Sequence, residues 1–337
     1  MIARRGLLGA ALAAPAIAHA QANEVIIGTW GGDYGALLAS EVDAPLVRPL
    51  GLTPVQDLGT PAARKTKLIA ERSARRGSQD VVCLGDADCY AMAELGLVEE
   101  LTPDKVPNIA HVLPALRSPF VLPHIYSVRV MLTNPAVISP APVSYADMWD
   151  ERFRNRIGFS DLLYQSISEA AALAGGGNES DFAPGQARLR ALKALGVRVY
   201  SANENLAAAL KSGEVAATIM WLARGYAWRR AGIAVQPTFP AEGATPYVSA
   251  AVVPKNARNK QAAYAYLNAM LDPRAALGFG ERMGYLPTTT LATLPAPLLA
   301  EIGVPAEQLA KLRRPDFGYT ARNAAEILAF WEREFKA

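Results

Sequence analysis

Short apolar segments that suit β-strands alternate along this chain with longer segments in which apolar residues have helical spacing. EVIIGTW (24–30) predicts a strand, and GALLASEVDAPLVRPL (35–50) then repeats apolar residues as one face of a helix does. ARKTKLIAERSARRG (63–77) predicts an amphipathic helix with a basic face that ends at Gly77. QDVVCLG (79–85) then predicts a further strand and ADCYAMAELGLV (87–98) a further helix. This order is typical of a mainly parallel sheet with helices on its faces, so the chain is predicted to be an α/β protein.

The length predicts more than one lobe, because 337 residues exceed the usual size of a single core. HIYSVRVMLTN (124–134) alternates like a strand and is expected to cross into a second lobe near Tyr126; the chain returns near Tyr247. Two α/β lobes joined by two crossings form a hinged cleft that suits a small ligand. In such sheets ligands bind beyond the carboxyl ends of the strands.

The first residues, MIARRGLLGAALAAPAIAHAQA (1–22), have the pattern of a signal peptide: a basic pair, a short apolar run and a small-residue cleavage site. The apolar run is too short for the roughly 20 residues that cross a bilayer. Cleavage after Ala20 or Ala22 fits. Arg4 and Arg5 fit either a twin-arginine signal or a general secretory signal. The mature protein is therefore expected in the periplasm without a lipid anchor.

Charge and cysteine content exclude several classes of protein. The formal net charge is +3, and removing Arg4 and Arg5 leaves about +1, too near neutral for a nucleic-acid binder. After cleavage the histidines are His111 and His124, and the sequence lacks the spacings of a zinc site, so neither metal nor cofactor is expected. Cys83 and Cys89 allow either a disulfide or two core thiols.

Motifs for catalysis are missing from the sequence. It has no Gly-x-Ser-x-Gly, no phosphate-binding loop that ends in Gly-Lys-Ser/Thr, and no Gly-x-Gly-x-x-Gly that opens a helix. Asp86 and Asp88 form an acid pair that an exported enzyme would use as acid and base. That enzyme is the alternative; the expected class is a binding protein and not an enzyme.

Aromatic side chains stand at the ends of predicted elements, where packing explains them less well than in the middle of a strand. They are Trp30, Tyr34, Trp221 and Tyr247. Aromatic walls bind the methylenes or cationic head of an organic solute, and a few polar groups fix its orientation. Asp33, Asp86 and Asp88 would supply carboxylates for this purpose, and Arg224 a clamp for an anionic group.

Three stretches resemble the periplasmic solute-binding proteins of ABC importers, in the branch that holds the polyamine-binding proteins. They are TWGGDY (29–34), SYADMWDERFRNRIGFSD (144–161), and the long segment 219–288, which carries Pro-x-Glu-Gly and Gly-Tyr-x-Pro. The resemblance implies a type II periplasmic-binding-protein fold, with two discontinuous lobes joined by a two-strand hinge. The first lobe would comprise 23–126 and 249–291, and the second 127–248 and 292–337. A ferric-ion binder on the same fold is a weaker alternative, because no adjacent Tyr pair is present.

The resemblance also implies a set of ligand-binding positions. These are Trp30, Asp33, Tyr34, Asp86, Asp88, Gln165, Trp221, Tyr247 and Ser249. Arg224, which is expected at the site from its place in the sequence and not from the resemblance, adds a cation nearby. Polyamine binders carry a Glu where this chain has Gln165 and an Asp where it has Ser249, so two carboxylates that would hold an ammonium are missing. The expected solute is small and polar or charged: polyamine-like, amino-acid-like or opine-like. The expected partner is an inner-membrane ABC permease, and a monomer is expected.

Overall fold

The computed structural model describes residues 23–337, so the predicted signal peptide at 1–22 lies outside the described residues. The strands are β1 (Glu24–Thr29), β2 (Thr53–Leu58), β3 (Val81–Gly85), β4 (Leu122–Thr133), β5 (Gly158–Ser160), β6 (Arg198–Tyr200), β7 (Ala217–Trp221), β8 (Gln236–Thr238), β9 (Pro246–Val252) and β10 (Leu286–Pro287). The helices are α1 (Gly32–Leu37), α2 (Pro61–Ala70), α3 (Asp86–Glu94), α4 (Tyr164–Ala174), α5 (Ala183–Ala194), α6 (Asn203–Ser212), α7 (Leu222–Arg230), α8 (Lys260–Met270), α9 (Pro273–Met283), α10 (Ala296–Ile302), α11 (Ala306–Leu309) and α12 (Phe317–Phe330).

One part of the sheet has the order β10-β4-β9-β3-β1-β2. β1 pairs in parallel with β2 and β3, whereas β9 runs antiparallel to β3 and β4. Alternate residues of β3 enter two different cores: Val81 and Cys83 pack on one side, Val82 and Leu84 on the other. A strand buried on both faces reads as a continuous apolar run, as VVCL does.

The second part of the sheet is built on the last residues of β4. These residues pair antiparallel with β7 and β8. A bridge between Ile157 and Ala217 connects β7 to the parallel pair β5–β6. Helices α4 to α6 and their aromatic neighbours form the cores around these strands.

β4 connects the two parts because it changes partner along its length. Residues 122–128 pair with β9, and residues 129–133 pair with β7. The second connection follows β8, where the Arg129 amide donates to the Thr245 carbonyl at 2.9 Å just before β9 begins. Strand β4 changes its pairing partner from β9 to β7 between Val128 and Arg129. The limits of the two lobes stay a prediction.

A buried ion pair binds both connections to helix α4. The Arg129 guanidinium lies 2.9 Å from the Glu169 carboxylate, and both side chains are buried. Arg129 also donates to the Ser166 carbonyl at 2.7 Å and to the Thr245 hydroxyl at 2.6 Å. One side chain therefore fixes β4, the approach to β9 and α4 relative to one another.

Helix α12 contacts elements on both sides of the hinge. Phe317 packs against Tyr90 of α3, with ring centroids 5.8 Å apart, and Tyr319 packs against Phe182 at 5.0 Å. The final helix was predicted within the second lobe alone. Its first turns lie beside the first-lobe helix α3 as well.

Two local expectations are now decided. Both Cys83 and Cys89 are buried and free, and they lie in the cores on opposite faces of β3. The basic helix predicted to end at Gly77 ends at Ala70 instead. The segment after Ala70 is held by Asn256 instead of by helical hydrogen bonds. The Asn256 backbone carbonyl accepts from the Gly77 amide at 2.7 Å, and its side-chain amide donates to the Glu71 carbonyl at 2.8 Å.

Candidate functional site

The ends of four strands place most of the predicted site residues along one edge of the sheet. Trp30 directly follows β1, Asp86 directly follows β3, Trp221 ends β7 and Tyr247 is the second residue of β9. The amide after Tyr247 donates to Asp86 at 3.3 Å. Side chains at strand ends that meet in this way are not required for pairing within the sheet. α/β proteins build binding sites from such side chains.

Trp30 and Tyr34 form the first aromatic wall. Their rings make an edge contact with centroids 4.9 Å apart. The Tyr34 hydroxyl shares a hydrogen bond of 2.8 Å with Nδ1 of buried His124, and burial lowers the pKa of His124 to about 3, so this histidine is neutral. Gly32, between the two rings in sequence, has φ of +61°, a value that favours glycine.

Asp33 lies on the outer side of the same turn. It is exposed, and within residues 23–337 its side chain makes no hydrogen bond or ion pair. Neighbouring helix residues point about 100° apart, so burying Tyr34 turns Asp33 towards solvent. Its predicted role as a solute carboxylate stays a prediction.

Trp221 and Tyr247 form the second aromatic wall. Their rings are stacked at 4.7 Å with an interplanar angle of 20°. Tyr285 lies 6.5 Å from Tyr247, and the Ser249 hydroxyl lies 3.4 Å from the Tyr247 hydroxyl. Trp221 belongs to β7 and Tyr247 to β9, so this wall lies where the two parts of the sheet meet.

The two acids of the predicted pair have different environments. Asp86 accepts from the Ala87 and Val248 amides at 2.9 and 3.3 Å, and burial raises its pKa to about 7. Asp88 instead forms an ion pair of 2.5 Å with Lys65. Asp86 therefore has a carboxyl group that changes charge near neutral pH, whereas the charge of Asp88 is already compensated.

The second-lobe side brings a cation and an amide to the cleft. Arg224, in the first turn of α7, is half-buried and has no hydrogen-bond or ion-pair partner among the described residues. Burial raises the pKa of Tyr285, and the charge of Arg224 opposes that effect. Gln165 is next in sequence to Tyr164. Burial is the main cause that raises the pKa of Tyr164, and the negative charge of Asp88, from the first-lobe side, adds to it.

Arg64 was not predicted as a site residue. Its guanidinium is buried and donates to the carbonyls of Cys83 at 2.8 Å, Thr29 at 2.9 Å and Gly59. It also lies over the Trp30 ring, 4.7 Å from the centroid. In the sequence Arg64 is one of several cations in a helical segment, and no local signal separates it from the exposed ones.

Within residues 23–337, no group of three or more His, Cys, Asp or Glu side chains is arranged to hold a metal ion. The cleft instead offers rings, a carboxyl group, an amide and a guanidinium. This set suits an organic solute with polar ends.

Residues 62–306 match the profile of the family described as bacterial extracellular solute-binding proteins. The chain belongs to this family. A spermidine/putrescine-binding periplasmic protein of Salmonella typhimurium is 27% identical over 231 residues, which is 66% of each chain. The match thus spans just under two thirds of that relative.

Solved structures confirm the fold of this solute-binding protein. A GABA receptor aligns with a TM-score of 0.82 and 21% identity over 94% of this chain and 98% of the other. The periplasmic binding protein MotA from A. tumefaciens B6, in complex with glucopine, gives 0.77 and 21% over 93% and 100%. The predicted type II periplasmic binding fold is therefore confirmed. Among the described residues no helix is long and apolar enough to span a membrane.

Proposed function

We propose that this chain captures a small polar organic solute between its two lobes, in the periplasm, and delivers it to an inner-membrane ABC permease. It acts as a monomeric binding protein and not as an enzyme. Family membership supports this role, as do the similarities to a spermidine/putrescine-binding periplasmic protein and to a GABA receptor. The stacked pair of Trp221 and Tyr247 at the junction of the two sheets is the observation that carries the proposal.

The aromatic walls explain how such a solute is held. Trp30 is half-buried and keeps part of its ring open, while Tyr34 beneath it is fixed by His124 and by Phe279 at 5.4 Å. A ring held by its neighbours loses little further freedom when a ligand stacks on it. In the second pair, Trp221 is buried with 8% of its surface exposed, and half-buried Tyr247, stacked on it, is the ring that a solute would contact.

The polar groups define the class of solute. On the first-lobe side the carboxyl groups of Asp33 and Asp86 remain available for an ammonium, since Asp88 is paired with Lys65. Gln165 and Ser249 are neutral, and Arg224 has no partner within the described residues. A diamine would place an ammonium near Arg224, where like charges in a partly dry cleft repel. The arrangement favours a solute with an acidic or neutral polar end and one amine.

A calorimetric comparison of putrescine, spermidine and 4-aminobutyrate tests this proposal. The protein is expected to bind 4-aminobutyrate more tightly than putrescine, which also has four carbons but ends in a second aminomethyl group where 4-aminobutyrate ends in a carboxylate. Arg224→Ala should weaken 4-aminobutyrate by about 1.5–3 kcal/mol, the scale of a hydrogen bond to a charged group. Arg229→Ala, on the same helix but bonded to the Glu301 carbonyl at 3.5 Å, is the control and should change little.

Two results would contradict the proposal. Tight putrescine binding that Arg224→Ala leaves unchanged would show that this arginine points to solvent. Steady turnover of a bound metabolite that Asp86→Asn abolishes would favour the exported enzyme instead.

A further inference from the structure

Helix α12 presents one aromatic ring to a helix of the other lobe. Phe317, its first residue, packs against Tyr90 of α3 with ring centroids 5.8 Å apart and ring planes inclined at 44°. The next residue is Gly318, and a β-carbon at that position would stand only 3.5 Å from the Tyr90 hydroxyl. The start of α12 therefore lies directly against α3, and the glycine leaves room for this approach.

The first turn of α12 is anchored to the second part of the sheet. The Asp316 carboxylate accepts from the Tyr319 amide at 2.7 Å and from the Ser180 hydroxyl at 2.6 Å. The Phe182 amide donates to the Tyr319 hydroxyl at 2.9 Å, and the last turn of the helix enters the core around β5 and β7. Because these bonds fix the first turn, Phe317 is expected to move with the second lobe.

Tyr90 lies on the helix that begins at the solute site. It follows Asp86 by four residues, so the two side chains share one face of α3, a turn apart. Asp86 in turn accepts from the Val248 amide of β9 at 3.3 Å. The first turn of α3 therefore carries a carboxyl group of the proposed site, and the next turn carries the ring that meets α12.

The two rings of this contact lie outside the hydrophobic cores. Tyr90 and Phe317 are half-buried, and neither is among the core residues within 23–337. An aromatic pair of this kind still changes an equilibrium constant by about two- to tenfold. That gain exists only while α3 and α12 are together, so it favours the arrangement in which the two lobes are close.

We propose that Phe317 and Tyr90 form a latch that stabilises the closed arrangement of the lobes. The latch is distinct from the proposed solute site, because neither ring was assigned to it, and it lies on two helices instead of on the hinge strands. It acts on every solute alike, since an apparent dissociation constant falls as the fraction of protein in the binding-competent arrangement rises.

Calorimetry with 4-aminobutyrate and putrescine on wild type and Phe317→Ala measures the latch. The variant should raise both dissociation constants by the same factor, about two- to tenfold, and leave their ratio unchanged. Arg224→Ala, which removes a group of the proposed site, should change that ratio instead. Leu328→Ala is the control: this residue is 42% exposed, three turns further along α12, and its loss should change neither constant.

Distances between the lobes test the latch without a solute. Spin labels on Leu58→Cys of β2 and Leu162→Cys after β5 should show longer distances in solute-free Phe317→Ala than in wild type. If circular dichroism shows that Phe317→Ala does not fold, Tyr90→Ala removes the same contact from the other side and should give the same results.

Three results would overturn the latch. They are unchanged dissociation constants, unequal factors for the two solutes, and unchanged solute-free distances. A lower unfolding temperature with unchanged binding would make Phe317 a packing residue of α12 alone. Wild type that binds no solute would contradict the proposed function instead, and the solute-free distances would then still decide the latch.

Discussion

Replacing Asp86 by Asn should stabilise the protein without solute, and more so as the pH rises. Burial raises the pKa of this carboxyl group from an ordinary value of 3.8 to about 7. A carboxyl group with a raised pKa in the folded state binds its proton more tightly there than in the unfolded chain. Its contribution to stability is therefore complete below pH 3.8 and is lost as the pH rises through about 7.

The expected magnitude follows from this difference in pKa. At about 1.4 kcal/mol per pKa unit, the change from 3.8 to about 7 corresponds to about 4 kcal/mol. Asp86 is half-buried, so solvent screening reduces the effect, and about 1–3 kcal/mol is expected. The Asn amide oxygen still accepts from one of the amides of Ala87 and Val248.

Urea unfolding of wild type and Asp86→Asn at pH 4.5, 6 and 8 measures the effect. The variant should gain little at pH 4.5 and about 1–3 kcal/mol at pH 8. Asp104→Asn, at an exposed position, is the control and should show no such trend. Stability curves of wild type and Asp86→Asn that stay parallel across this range would refute the raised pKa of Asp86.

Two further predictions concern export and the hinge. Material recovered from the periplasm should begin at Gln21 or Asn23, as N-terminal sequencing would show; a protein that still began with Met1 would contradict the signal peptide. Glu169→Gln should reduce the free energy of unfolding by about 3–5 kcal/mol, because it removes the negative partner of buried Arg129. Urea unfolding measures this, with the exposed ion pair of Glu151 and Arg154 as control: Glu151→Gln should leave the free energy of unfolding nearly unchanged.

The architecture was predictable because it depends on patterns that are local in sequence. Alternation of apolar strands with amphipathic helices gave the α/β class, and the apolar run at 81–84 marked a strand buried on both faces. The crossing at β4 followed from one long alternating segment. The aromatic walls were predictable for the same reason, since carboxyl ends of neighbouring strands meet at one edge.

The parts that were missed depend on contacts between distant residues. Arg64 is drawn inward by the carbonyls of Thr29 and Cys83, which lie 35 and 19 residues away, and its helix looks uniformly basic in sequence. That Asp88 faces the solute stays a prediction, and its ion pair with Lys65, 23 residues away in sequence, is a contact that spacing does not indicate. The orientation of Asp33 also could not be predicted locally, because it depends on which residue of the first helical turn packs into the core, and here that residue is Tyr34.

The distance between the two lobes, measured with and without solute, tests the central claim most directly. Leu58 ends β2 in the first lobe and is 60% exposed, and Leu162 lies just after β5 in the second lobe and is 64% exposed. The native Cys83 and Cys89 are fully buried, so a thiol-reactive label would not reach them. Spin labels on Leu58→Cys and Leu162→Cys would therefore report on the lobes alone. Saturating 4-aminobutyrate should shift the distance distribution to shorter values; a distribution that calorimetrically confirmed binding leaves unchanged would contradict a solute site that closes between the lobes.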